Sequence, residues 1–174
     1  QSESQVYKKY REIIDSKKIN ELEGVAGVNI KIGGGAEMKI LSPAANYNFN
    51  EKDTNFNSIV ARLTFGENSF LFTGDLPGDG EIALIKAGEN INSQVLKVGH
   101  HGSKYSSSVE FLKAVNSRDA IISVGANNRY GHPAPEILER LEKVGINIMR
   151  TDSSGDTYYE CQKPEVNCLI KLSK

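Results

Sequence analysis

The sequence predicts an α/β fold in which two β-hairpins precede a region of alternating strands and helices. Two observations carry this prediction. Apolar residues recur at every second position from Val28 to Ile40 and again within residues 59–73, a spacing typical of strands. After residue 80, helix-length segments separate short apolar runs, which favours a layered arrangement with helices outside a sheet. Length and composition fit one domain of 174 residues.

Local patterns justify the earlier elements in order. An amphipathic helix is predicted over residues 4–18, because Val6, Tyr10 and Ile13 recur at helical spacing. Glycines 33–35 form the turn of the first hairpin. Asn-rich residues 44–57 are predicted to form a surface loop that lines a cleft. In the second hairpin, the run Phe70–Phe72 is apolar enough to be buried on both faces.

The later elements alternate between the two periods. Helices are predicted over residues 80–87, 107–115 and 134–144, and strands over residues 95–98, 120–124 and 146–149. Pro133 and Pro135 suit the first turn of the third of these helices, where a missing amide hydrogen costs nothing. A hairpin over residues 156–172 closes the chain.

Charge and hydropathy exclude two simple kinds of partner. Twenty-one basic and twenty-two acidic residues give a formal net charge of -1, which excludes a plain polycationic mode of nucleic-acid binding. No apolar run approaches the roughly 20 residues that cross a bilayer, so we expect no membrane contact from this segment.

Two cysteines lie in the closing hairpin. Cys161 and Cys168 are placed to face each other across its strands, either as a disulfide or as two half-buried thiols. A disulfide would suit an exported protein, and we therefore expect an extracytoplasmic location, either secreted or at the outer face of a bacterial membrane.

The residues that carry chemistry gather where apolar strands end. All three histidines lie in two glycine-marked turns, Gly99–Gly102 and Gly131–Pro133, and Asp75 follows a third strand. Adjacent imidazoles such as His100 and His101 do not pack comfortably into a core, but they are favoured ligands of divalent metals. Asp75 is either a further ligand or the cap of the helix that follows it.

A polar cluster surrounds the third histidine. Asn128, Arg129 and His132 combine a cation, an amide and an imidazole, a set that suits a phosphate group, with Arg129 as charge partner and His132 as proton donor or ligand. The alternative is a hydrogen-bonded loop in which the asparagines satisfy backbone groups.

These motifs together resemble the metallo-β-lactamase-fold hydrolases of the competence protein ComEC type. The resemblance rests on residues 72–75, 96–103, 121–133 and 150–152, in that order and spacing. It implies an αββα sandwich with two divalent ions, Zn or Mn, at the edge between its sheets. It implies Asp75 as the bridging carboxylate, His101 as the last ligand with His100 as the alternative, and His132 beside the substrate. The implied reaction is hydrolysis of phosphodiesters, including DNA.

The resemblance covers the second half of that domain, because no histidine precedes position 100 and the family's His-rich motif has no counterpart here. We therefore expect residues 1–174 to form one unit, the C-terminal half of the sandwich. Its partner would be the N-terminal half. Alone, the chain would bind few or no metal ions and would be inactive, with Phe65, Phe70 and Phe72 exposed on one side. The alternative is a non-catalytic module of the same fold that binds phosphate, nucleic acid or protein.

Overall fold

The computed structural model describes residues 4–46 and 54–173, and it shows a mixed α/β architecture. The strands of the main sheet are β1 (Asn29–Gly33), β2 (Ala36–Ser42), β3 (Val60–Phe65), β4 (Asn68–Phe72), β5 (Val95–Lys97), β6 (Asp119–Ile122) and β7 (Asn147–Arg150). The helices are α1 (Gln5–Lys17), α2 (Gly78–Lys86), α3 (Val109–Val115), α4 (Pro135–Lys143) and the single turn α5 (Thr151–Ser154). A separate hairpin consists of β8 (Thr157–Glu160) and β9 (Leu169–Leu172).

The seven strands of the main sheet lie in chain order, so each pairs with the next. Pairing is antiparallel from β1 to β4 and parallel from β4 to β7. The parallel strands are connected through α2, α3 and α4, as a parallel connection requires. Two hairpins followed by strand–helix alternation are therefore confirmed.

The two faces of the sheet differ in burial. Leu71, Leu96 and Ile122 point to one face and are fully buried, in a core that α3 and α4 complete with Phe111 and Ile137. On the opposite face, Phe72 is 38% exposed, and neighbouring side chains line a groove of about 340 Å³. The groove residues on the sheet include Leu63, Phe70, Phe72, Val95, Lys97 and Ile121.

Burial of Phe70–Phe72 on both faces is thus the wrong expectation, because only the face that carries Leu71 meets helices. The exposed side expected for these aromatic residues is present at Phe72, while Phe65 and Phe70 are partly buried. Part of the groove is covered by the β8–β9 hairpin, whose Tyr159 packs edge-on against Phe70 with ring centroids 5.4 Å apart.

The closing hairpin is held together by a disulfide and is joined to the sheet by hydrogen bonds. Cys161 and Cys168 form the disulfide, with Cα atoms 4.2 Å apart. The Asn68 side chain donates to Val166 O at 2.8 Å and accepts the Cys168 N–H at 2.9 Å. Tyr159 Oη donates to the buried Asp119 at 3.3 Å, and burial and this carboxylate raise the pKa of Tyr159.

Some element boundaries in the structure differ from those that the sequence predicts. The helix predicted from residue 107 begins at Val109, because Ser108 Oγ accepts the Phe111 N–H at 3.3 Å and caps it. Pro135 occupies the first helical turn of α4, whereas Pro133 lies before it. The predicted loop over residues 44–57 falls partly outside the described residues and ends in a short 3-10 helix, Thr54–Asn57.

The predicted N-terminal helix is present, and Ser4 caps it by accepting the Tyr7 N–H at 3.1 Å. None of its residues is buried, and Val6, Tyr10 and Ile13 are 80%, 49% and 41% exposed. None of the helices that the described residues form has the length and apolar character of a membrane span.

The unequal faces predict unequal mutational costs. Leu71→Ala should lower the free energy of unfolding by about 2–5 kcal/mol, because it leaves a cavity in the covered core. Phe72→Ala, on the same strand, should cost about 1 kcal/mol, because its ring already contacts solvent. Urea unfolding of the two variants measures both values, and equal losses would contradict the described burial.

Candidate functional site

The predicted site residues lie on three loops at one edge of the sheet. Because β4, β5 and β6 are parallel, the loops that follow them leave from the same edge. Asp75, the His100–His101 pair and His132 come from these loops in turn, and with Tyr130 they line a pocket of about 210 Å³. The structure therefore brings together the carboxylate and all three imidazoles.

Asp75 is held by its backbone, and it lines the pocket. Gly74 has φ +55°, and a Cβ added there would lie 3.0 Å from Ser58 Cβ, so the turn favours glycine. Ser58 Oγ accepts the Asp75 N–H at 3.1 Å. Helix α2 begins at Gly78 after Pro77 and has no side-chain cap, so the alternative that Asp75 caps it is wrong.

The histidine doublet forms a tight turn of unusual backbone. His100 and His101 have φ values of 50° and 55°, in the left-handed region that non-glycine residues enter at a cost of about 1–2 kcal/mol each. The His100 N–H donates to Gly74 O at 3.0 Å, and this bond joins the doublet to the Asp75 loop. Strained backbone of this kind persists only where the surroundings fix it.

His101 presents one nitrogen to Asp75. Its Nδ1 lies 2.8 Å from Ser123 O, and because a carbonyl only accepts, Nδ1 carries the proton. In the neutral tautomer with the proton on Nδ1, the lone pair is on Nε2, which lies 3.8 Å from Asp75 Oδ1. A ligand histidine is typically oriented in this way by a backbone carbonyl. Between the two histidines, this geometry favours His101 as the ligand.

His132 lies at the other side of the pocket. Its ring meets His100 edge-on at 6.0 Å and stacks on Tyr130 at 5.8 Å with an interplanar angle of 19°. Its Nδ1 is buried and has no hydrogen-bond partner among residues 4–46 and 54–173. Burial lowers the pKa of His132, and His100 and His101 lower it further, while Asp75 opposes them.

The other two residues of the polar cluster have structural contacts. Asn128 Nδ2 donates to Gly125 O at 3.0 Å and to His132 O at 2.7 Å, and Asn128 Oδ1 accepts the His132 N–H at 2.9 Å. Asn128 therefore forms the hydrogen-bonded loop that the sequence left open as an alternative. Arg129 is exposed and donates to Tyr130 Oη at 2.9 Å. Neither residue lines the pocket, and their catalytic roles stay predictions.

Two residues that the sequence did not single out position the doublet's surroundings. Glu81 is 1% exposed and accepts the N–H groups of Ser107 and Ser108, the latter at 2.9 Å. Arg140 Nη1 donates to the carbonyl oxygens of Lys104 and Ser106, at 3.1 Å each. Burial raises the pKa of Glu81, and the two N–H donors and Arg140 oppose this shift. Acidic residues in a first helical turn are favoured by the helix dipole, so the position of Glu81 in α2 did not indicate its contacts with Ser107 and Ser108.

Lys97 is a further charged group that the sequence analysis did not assign. It ends β5, three residues before His100, and its Nζ donates to Val98 O at 3.2 Å. Burial lowers the pKa of Lys97, while the charge of Asp75 raises it. A lysine within the apolar run of residues 95–98 was the available signal.

The donor set fits a divalent metal in kind and falls short in number. An aspartate oxygen and an imidazole nitrogen 3.8 Å apart are donors that Zn or Mn accepts. Among the described residues, no group of three or more His, Cys, Asp and Glu side chains is placed to hold one ion. Catalytic zinc sites use three protein ligands, so Asp75 and His101 would supply one side of a centre that needs further donors.

Fold and site together define a metallo-β-lactamase-type protein, and comparison with known proteins agrees. The profile of the metallo-beta-lactamase superfamily matches residues 53–126, which include Asp75 and the histidine doublet and end before His132. A metallo-beta-lactamase domain together with homology to competence proteins is consistent with a ComEC-type metallo-β-lactamase fold.

Three curated relatives show which particular proteins the chain is similar to. It is 39% identical over 142 residues to ComE operon protein 3 of Bacillus subtilis (strain 168), covering 79% of this chain and 18% of that protein. It is 43% identical over 122 residues to Competence protein ComA of Neisseria gonorrhoeae, covering 70% of this chain and 17% of that protein. Recombination protein 2 of Haemophilus influenzae is 36% identical over 121 residues, covering 70% of this chain and 15% of that protein. The chain thus spans less than a fifth of the length of each relative.

The buried Glu81 predicts a stability effect with a matched control. Glu81→Gln should lower the free energy of unfolding by about 1–3 kcal/mol, because one of two accepting oxygens becomes a donor that faces an N–H. Glu110→Gln, on the exposed side of α3, should change it by no more than about 0.5 kcal/mol. Thermal or urea unfolding measures both, and an unchanged stability of the Glu81→Gln variant would contradict the role of Glu81 in accepting these two N–H groups.

Proposed function

We propose that this chain is a portion of a metal-dependent hydrolase that acts on phosphodiesters, including DNA, and that serves competence and DNA uptake. The observation that carries the proposal is the pairing of Asp75 Oδ1 with His101 Nε2 at 3.8 Å, with Nδ1 of the same ring held by Ser123 O. The competence role is supported by the similarity to Competence protein ComA and to ComE operon protein 3.

Each residue of the pocket would have a distinct task in such a centre. Asp75 and His101 would contribute ligands to a divalent ion, Zn or Mn. Bound at such a centre, the ion supplies Lewis acidity toward a phosphodiester oxygen. Burial and the neighbouring His100 and His101 lower the pKa of His132, which would offer one N–H to a phosphate oxygen. Arg129 on the neighbouring loop would add positive charge toward the phosphate.

We further propose that residues 1–174 form the C-terminal half of the αββα sandwich and that the other half covers the exposed sheet face. Its support is the groove along β3, β4, β5 and β6, in which Phe72 is 38% exposed. An apolar sheet face normally packs on another layer. The relatives are several times longer than the matched segment, so they have room for a preceding layer that would add the missing metal donors.

An extracytoplasmic location is part of the same proposal. The Cys161–Cys168 disulfide supports it, because such bonds form and persist in oxidising compartments.

The experiment compares the chain alone with a longer protein that also contains the preceding layer. Hydrolysis of a linear DNA and of bis(p-nitrophenyl) phosphate is measured with Mn²⁺, with Zn²⁺ and with EDTA. The longer protein should hydrolyse both substrates only with metal, and Asp75→Asn in it should lower the rate by at least about 100-fold, because a ligand is lost.

Asp79→Asn is the matched control, since Asp79 is an exposed aspartate on α2 that does not line the pocket. It should leave the rate within about twofold, as surface substitutions do. Full metal-dependent activity in the Asp75→Asn variant would overturn the assignment of this residue. Phosphate or DNA binding that is indifferent to metal, with no hydrolysis in the longer protein, would instead favour the non-catalytic module.

A further inference from the structure

Tyr130 is an exposed aromatic ring at the rim of the pocket. It is 68% exposed although it lines the same pocket as Asp75 and the three histidines. Its ring is stacked on His132 at 5.8 Å, which fixes the orientation of the ring while most of its surface stays in solvent. A large ring held in this way exposes apolar area that a ligand can cover.

A cation accompanies the ring. The Arg129 guanidinium lies 5.1 Å from the Tyr130 ring centroid and donates to Tyr130 Oη at 2.9 Å. The Asn128 side chain holds the His132 backbone of the same loop through both its amide nitrogen and its amide oxygen. The loop thus presents an oriented ring, a positive charge and an imidazole within one short segment.

We propose that Tyr130 is a stacking platform for a nucleobase of single-stranded DNA and that it places the adjoining phosphodiester in the Asp75–His101 pocket. The inference rests on the proposed function and names the strand form that the site takes. Aromatic rings beside cations bind single strands because each base has a free π-face, with Arg adding a cation–π contribution. Bases inside a duplex are already stacked on their neighbours and do not reach such a ring without being extruded.

The chain offers a matched control in Tyr105. This tyrosine is 70% exposed and has Lys104 Nζ 5.3 Å from its ring centroid, so its exposure and its cation match those of Tyr130. It lies on a different loop and does not line the pocket. Loss of a generic surface tyrosine is therefore separable from loss of the platform.

The test measures equilibrium binding by the full chain in EDTA, with fluorescently labelled oligonucleotides. The probes are a single-stranded ten-residue oligothymidylate, an abasic backbone of the same length and a blunt duplex. Tyr130→Leu should weaken binding of the oligothymidylate by about 5- to 150-fold, while Tyr130→Trp retains it, because the indole also stacks. Tyr105→Leu should change it less than twofold, and Tyr130→Leu should leave binding of the abasic strand unchanged.

The platform would be overturned if the unsubstituted chain showed no measurable binding of oligothymidylate, or if it bound the abasic strand equally well. It would also be overturned if Tyr130→Leu and Tyr105→Leu weakened binding of oligothymidylate equally, or if Tyr130→Leu weakened binding of the duplex as much as binding of the single strand. Hydrolysis is measured separately with Mn²⁺ in the longer protein. Base-dependent binding through Tyr130 without hydrolysis would retain the platform and reject the proposed function. Hydrolysis by the longer protein, combined with binding that does not depend on the bases, would retain the proposed function and reject the platform.

Discussion

The parallel pairing of β4, β5 and β6 is the constraint on which the site depends. It makes three successive loops leave the sheet at one edge, and each loop delivers a different group: a carboxylate, a pair of imidazoles, and an imidazole beside a tyrosine. Hydrogen bonds then lock the loops to one another, from the His100 N–H to Gly74 O and from His101 Nδ1 to Ser123 O. Sheet geometry sets the approximate meeting point, and these bonds set the final orientation of the rings.

A second theme is the asymmetry of the sheet. One face is closed by helices, while the other has an aromatic groove that the disulfide-bonded hairpin covers only in part. Lys97 lines the groove, and along the chain it lies three residues before His100, which lines the pocket. In the proposed complete sandwich, the layer that covers the groove would also supply the further metal donors, so the same surface would serve packing and chemistry.

The sequence predicted what depends on period and on chain order. The strand periods gave every strand of the main sheet to within a few residues, and the position of Asp75 and His101 at strand ends predicted their convergence. It missed the buried Glu81, because the Ser107 and Ser108 N–H groups that this side chain accepts are distant in the sequence. It also missed α5, because a helix of one turn is too short to show a period. The role of Asn128 in its loop stayed an open alternative, because an amide serves a backbone or a ligand equally well until its neighbours are known.

The left-handed backbone of His100 and His101 affects how substitutions there should be interpreted. Alanine at either position removes a ring and also leaves a Cβ-bearing residue in an unfavourable conformation without the contacts that held it. A β-branched residue would strain the turn still more, whereas glycine and asparagine enter this region most readily. A glycine or asparagine variant is therefore the cleaner way to delete the imidazole, since the turn that joins two strand ends would keep its shape while the chemistry is lost.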